Sequence, residues 1–160
     1  EFKVDSVWEQ GTEMAFYLGL EEAEATEVVV EEQYDIAELN LNVLVVDDIR
    51  ANQYLLRSIL KKSNCQVKLA STGLEACEIL KDETFDLCFM DINMPVMGGF
   101  EATEKIRQEL KLTLPIIAIS ADAAKEDITN AYAVGMDDYM TKPFKQVRLK
   151  ELIIKWARRN

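Results

Sequence analysis

The sequence predicts an α/β protein: a five-stranded parallel sheet with helices on both faces, preceded by a β-hairpin and an acidic linker. Three observations carry this. Five short apolar runs alternate with five segments of helical period from Asn42 onward. Strands alternating with helices in that way form right-handed crossovers, which place all the strands parallel and cover both faces of the sheet. The first twenty residues follow a different rule, an alternation of period two.

In that first stretch Met14, Phe16, Leu18 and Leu20 alternate with Glu13, Ala15, Tyr17 and Gly19 after a Gly-Thr turn. "FKVDSVW" reads as the other arm of the hairpin. Residues 21–39 follow, and Glu21 to Glu38 hold eight acidic residues and no basic one, broken by Val28–Val30. Like-charge repulsion with so little apolar content makes this a linker.

The predicted strands are Val43–Val46, Gln66–Ala70, Leu87–Met90, Ile116–Ser120 and Asp138–Thr141, the most apolar being central. The helices are "ANQYLLRSILKK", "GLEACEILKD", "FEATEKIRQEL", "KEDITNAYAVG" and "KQVRLKELIIKWARR". In the last, Val147, Leu149, Leu152, Ile153 and Trp156 fall mostly on one face at helical spacing.

Composition excludes several classes of function. A formal charge of −11 with no basic cluster leaves no footprint for nucleic acid or anionic lipid. No apolar run reaches the roughly 20 residues of a bilayer span. The segment is expected to be cytoplasmic, whether or not its parent chain carries a membrane anchor. Cys65, Cys77 and Cys88 lack paired spacing and read as buried free thiols. The absence of histidine removes hydrolase triads, His-ligated metals and any phosphohistidine chemistry carried by this chain itself.

Ligands of open α/β sheets collect outside the carboxyl ends of the strands. There the sequence places Asp47 and Asp48, Asp91, Ser120, and Thr141 followed by Lys142 and Pro143. Taken singly these are ordinary: Asp-Asp is a common helix cap or turn, Met-Pro and Gly-Gly are turns, and Lys-Pro is punctuation. Their joint occurrence points to chemistry. Two carboxylates about 5 Å apart repel by about 3 kcal/mol at an effective dielectric near 20, so a cation must offset them. Lys142 supplies one charge, and a hard divalent ion such as Mg2+, shared with a phosphoryl oxygen, suits a shallow acidic rim as the second.

The stretches "VLVVDD", "LCFMDINMPVMGG", "IIAISA" and "AVGMDDYMTKPF", in that order between about Asn40 and Trp156, resemble the response-regulator receiver domain of two-component signalling. Within that family "MDINMPVMGGFEATEKIR" and "GMDDYMTKPF" are closest to receivers attached to hybrid sensor histidine kinases. The resemblance implies a flavodoxin-like fold with strand order 2-1-3-4-5 over residues 40–158. It makes Asp91 the phosphoacceptor, taking its phosphoryl group from a phosphohistidine. Mg2+ would be held by Asp47, Asp48, Asp91 and the backbone carbonyl of Asn93. Ser120 and the Ala121 amide would bind phosphoryl oxygens, with Lys142 as ion-pair partner after a cis bond to Pro143. Ser120 and Tyr139 would act as the switch pair, and Asn93 and Asp122 would tune hydrolysis. The partner would be a kinase domain bearing a phosphohistidine, or a histidine phosphotransfer protein, docking a helix near Asn52, Tyr54 and Leu55.

Two alternatives remain open at this point. A haloacid-dehalogenase-type phosphatase also uses a strand-end Asp, Mg2+, a hydroxyl and a Lys, but its general acid two residues on is here Asn93. A docking-only pseudo-receiver would have lost acceptor-site positions, yet all are present. "SVWEQGTEMAFYL" resembles the closing strands of a histidine-kinase ATP-binding domain, through Ser6, Gly11, Thr12, Phe16 and Leu18. The parent chain is therefore expected to be a histidine kinase, a phosphotransferase, while this segment lacks the nucleotide pocket and kinase activity. A hairpin carrying Phe2, Trp8, Met14, Phe16 and Leu18 is expected to pack on the receiver or to pair with a second copy, giving a dimer.

Overall fold

A computed structural model describes residues 2–7, 11–16, 40–121 and 124–157. The chain divides into two compact units, Glu1–Gln33 and Tyr34–Asn160. The first contains strands β1 (Phe2–Val7) and β2 (Gly11–Phe16), paired antiparallel from Phe2↔Phe16 to Val7↔Gly11. Expectations resting on Trp8, Leu18, Leu20, the linker 21–39, the hairpin side chains or Asp122 lie outside the described residues.

The second unit alternates strand and helix throughout. Its elements are β3 (Asn42–Val46), α1 (Arg50–Lys62), β4 (Gln66–Ala70), α2 (Gly73–Asp82), β5 (Leu87–Asp91), α3 (Gly99–Gln108), β6 (Ile116–Ser120), α4 (Lys125–Ala133), β7 (Asp138–Thr141) and α5 (Gln146–Ala157). The sheet is parallel in the order β4-β3-β5-β6-β7, as the resemblance implied. The central strands β5 and β6 are buried along their whole length, whereas edge strand β4 is only partly covered.

The pleat sorts the core into two layers. Val43, Val45, Leu87 and Phe89 meet Leu56 and Leu60 of α1 and Leu149, Leu152 and Trp156 of α5. Their neighbours Leu44, Val46, Cys88 and Met90 point the other way, onto Ala76 of α2, Ala102 and Ile106 of α3 and Ala131 of α4. All three cysteines are buried and free, and burial pushes the Cys88 thiol up to about 12.

Two differences from the sequence reading have a plain physical cause. Helix α3 ends at Gln108 because the chain turns back: Leu110 and Leu112 donate backbone bonds to Lys105 and Ile106, with Lys111 left-handed between them. Val147 is exposed, since it lies two residues, about 200°, from Leu149 on a helix turning 100° per residue.

Adjacent acids take opposite duties at the start of β7. Asp137 accepts from Arg107 of α3 at 2.9 Å and from the Ile116 amide at 2.8 Å. The same guanidinium donates to the carbonyls of Leu112, Leu114 and Gly135, tying α3 to the turns before β6 and β7. Asp138, buried, accepts from Lys155 Nζ at 2.6 Å, Trp156 Nε1 at 3.0 Å and Arg148 at 3.3 Å, fastening α5 to β7.

Candidate functional site

Parallel strands deliver their carboxyl ends to one rim, and the first of these comes from β3. The Asp47 amide continues the ladder onto the Ala70 carbonyl at 3.1 Å, and the chain then turns into α1. Asp47 is 1% exposed. Its Oδ1 accepts from the Ile49 amide at 2.9 Å and from Asn52 Nδ2 at 3.1 Å. Its Oδ2 lies 2.8 Å from Lys142 Nζ, an ion pair, and has no other partner among the described residues.

Asp91 is the last residue of β5 and is 4% exposed. Its Oδ2 accepts from Lys142 Nζ at 2.6 Å and its Oδ1 from the Asn93 amide at 3.3 Å. Burial pushes the Asp91 carboxyl above its ordinary range despite the pull of Lys142, and Asp47 adds to the rise. Burial works against the Lys142 ammonium, but Asp47 and Asp91 outweigh it and hold its pKa above the ordinary value.

The loop after Asp91 is shaped by close approach. A Cβ on Gly99 would lie 2.3 Å from the Asp91 carbonyl oxygen and 3.0 Å from Ile92 Cα. Glycine there lets α3 start directly against the strand, with the Gly99 amide donating to the Ile92 carbonyl at 2.9 Å. The left-handed residue of this loop is Val96, at φ 71°, so the glycines serve contact rather than the turn itself.

The remaining predicted residues sort by register. Ile119 pairs with Asp91 and Ser120 with Thr141, which places buried Ser120 one residue beyond the Asp91 row on the neighbouring strand. The Lys142 amide donates to the Ser120 carbonyl at 2.8 Å, and the Lys142–Pro143 bond is cis. Ala121 and Asn93 are exposed beside them, as is Asp48. Tyr139 is half-buried three residues before Lys142 and packs with the layer covered by α2, α3 and α4.

Asp47, Asp48 and Asp91 each offer an oxygen, and these lie within 4.8 Å of one another. Hard oxygen donors, together with a buried Asp47 Oδ2 that meets only Lys142 among the described residues, fit a divalent cation of the Mg2+ type. The sequence reading missed how the cluster is held. Gln53, buried in the first turns of α1, donates to the Asp47 carbonyl at 2.6 Å, the Ala70 carbonyl at 3.0 Å and Ser71 Oγ at 3.2 Å. Its signal was a polar residue at a position otherwise facing the core.

A parallel 2-1-3-4-5 sheet with an acidic rim, and a lysine just after the last strand, defines an open α/β domain whose site lies at the carboxyl ends of its strands. The chain belongs to the response regulator receiver domain family, whose family model matches residues 43–154. It is 42% identical over 120 residues to the autoinducer 2 sensor kinase/phosphatase LuxQ of Vibrio harveyi, across 75% of this chain and 14% of that protein. The chain thus spans only a small part of the sensor kinases it matches. The receiver domain of the sensor histidine kinase PA1611 from Pseudomonas aeruginosa PAO1, solved with a magnesium ion in its active-site cleft, superposes with a TM-score of 0.68 at 34% identity, covering 74% of this chain and 98% of that one. The receiver domain of Saccharomyces cerevisiae Ssk1, solved with the histidine phosphotransfer protein Ypd1, gives a TM-score of 0.67 at 35% identity over 74% and 89% of the two chains. The chain is a receiver module of two-component phosphorelay signalling.

Proposed function

We propose that Asp91 takes a phosphoryl group from a phosphohistidine on a partner and holds it as an acyl phosphate. The observation that carries this is the Lys142 ammonium, 2.6 Å from Asp91 Oδ2 inside a cluster of three carboxylates. An Asp91 oxygen forms the new O–P bond as the N–P bond breaks. The imidazole, protonated on its other nitrogen, leaves neutral with the electron pair. Ser120, the Ala121 amide and Lys142 bind the phosphoryl oxygens. Asp47, Asp48, Asp91 and the Asn93 carbonyl hold Mg2+, which when bound neutralises charge on the transferring group. Catalysis is then positioning plus charge neutralisation.

Ser120 and Tyr139 act as the switch pair, altering the face made by α4, β7 and α5. The partner is a phosphohistidine-bearing kinase domain or a histidine phosphotransfer protein. Its docking surface includes Ile49, Tyr54 and Leu55 of the α1 region, each about half exposed. Transfer from a phosphohistidine brings such a partner over this rim. The parent is a hybrid sensor histidine kinase. Its ATP-binding domain ends in the β1–β2 hairpin, the linker 21–39 leads into the receiver at residue 40, and the module is cytoplasmic. No helix among the described residues is long and apolar enough to cross a membrane.

The test is the intact mass of the chain after a small acyl-phosphate donor, with and without Mg2+, beside Asp91→Asn. One Mg2+-dependent phosphoryl adduct absent from the variant supports the reading. Its absence under every condition refutes it in favour of a docking-only module.

A further inference from the structure

Two hydrogen bonds fix the roles of the two Asp47 oxygens, and one comes from Asn52, a side chain so far placed only near the docking surface. Oδ1 takes the Ile49 amide and the Asn52 side-chain amide, at 2.9 and 3.1 Å. Both of its favoured acceptor directions are thereby used. Oδ2 meets only Lys142, at 2.8 Å, among the described residues, and its second acceptor direction is left for a cation. Rotating the carboxylate would exchange the two oxygens, and the Ile49 amide alone is a single tether. The carboxylate is clamped through its backbone as well. Gln53 bridges the Asp47 and Ala70 carbonyls, the exits of β3 and β4, so the segment carrying Asp47 cannot drift from the sheet.

We infer that Asn52 is a positioning residue for the divalent cation: its amide holds Asp47 Oδ1 so that Oδ2 is presented to the metal. This rests on the proposed Mg2+ site and adds a residue to its outer layer. Asn52 touches neither the phosphoryl group nor the ion. It acts through Asp47, as the outer hydrogen-bond partners of metal ligands generally do. Asn52 is only partly buried, so its truncation leaves no core cavity.

The experiment is calorimetric titration of Mg2+ into the wild-type chain, Asn52→Leu, Asn52→Ala and Ser58→Ala, with thermal melts of each in the absence of Mg2+. Ser58 is exposed on the same helix, six residues or about 9 Å further along it from Asn52. Both Asn52 variants are expected to bind Mg2+ about tenfold more weakly, the lower end for loss of an outer-layer partner. Ser58→Ala is expected to match the wild type. With an acyl-phosphate donor, the Asn52 variants should require proportionally more Mg2+ and recover the wild-type rate when it is saturating. Wild-type affinity in both Asn52 variants overturns the inference and leaves the receiver reading intact. A lower rate at saturating Mg2+ with unchanged affinity also overturns it. Failure of the wild type to bind Mg2+ overturns the metal site and the inference together. A melt lowered as much as the affinity, with Ser58→Ala affected alike, assigns the effect to helix stability and likewise refutes it.

Discussion

Lys142 Nζ lies 2.6 Å from Asp91 Oδ2, joining the end of β7 to the end of β5 across the intervening strand β6. The same ammonium lies 2.8 Å from Asp47 Oδ2, so one cation stands between two buried carboxylates. It compensates their repulsion in the resting state and is already placed where a phosphoryl group on Asp91 would carry its charge.

Lys142→Met is therefore expected to act twice. Removing one partner from a buried ion pair leaves uncompensated charge, here costing about 2–3 kcal/mol of stability because the lysine retains some exposure. Loss of a charge-stabilising group should also slow Asp91 phosphorylation about 100-fold. Denaturant melts with and without Mg2+ check the first effect, which added Mg2+ should partly reverse. Adduct formation over time checks the second.

Gly99→Ala places a Cβ 2.3 Å from the Asp91 carbonyl oxygen, and backbone on both sides cannot yield cheaply. The expected loss is about 2 kcal/mol, typical of overpacking a tight site. A chemical-denaturation midpoint measures this. Phosphorylation should fall in the same variant because the displaced atoms belong to Asp91 and Ile92.

Asp138→Asn tests the fastening of α5. Burial opposes ionisation of Asp138, but Lys155, Trp156 and the Tyr139 amide outweigh it and hold the carboxyl below its ordinary value of 3.8. The stabilisation is thus complete above that ordinary value and is lost as pH falls through the lower folded-state pKa. At neutral pH the variant should be less stable by about 2 kcal/mol, the scale of a hydrogen bond to a charged group. The gap should narrow only at pH below 3.8. Melts of both proteins from neutral to strongly acid pH read this directly.

Arg107→Lys should not rescue what Arg107→Met loses. The guanidinium serves three carbonyls and Asp137 at once, a planar fork that an ammonium cannot reproduce. Both substitutions should destabilise by about 2 kcal/mol or more while leaving the Mg2+ affinity of the folded protein unchanged, as parallel melts and titrations will show.

The sheet and its rim were legible because parallel topology sends every strand's carboxyl end to one side. Asp47, Asp91, Ser120 and Lys142 each terminate or follow an apolar run, so naming the runs located the rim they share. Asp137 and Asp138 were not separable in the sequence. They are identical neighbours, and which one meets α3 and which meets α5 depends on the direction each side chain takes from the strand. The bonds of Asn52 and Gln53 to Asp47 were obscured for a related reason. They cross a turn, and a helical repeat records only which residues face the core. Val96 was not legible because nothing in a β-branched residue between Pro95 and Met97 marks a left-handed backbone.

The most direct test of the central claim is chemical trapping of the phosphoryl group at its residue. Borohydride reduces an aspartyl phosphate to homoserine, and peptide mass mapping then locates the change. After exposure to a phosphorylated histidine phosphotransfer protein and Mg2+, homoserine at position 91 alone is the predicted result. Homoserine at position 47 or 48, or an unreduced chain beside a donor that has lost its phosphoryl group to no residue here, would contradict it.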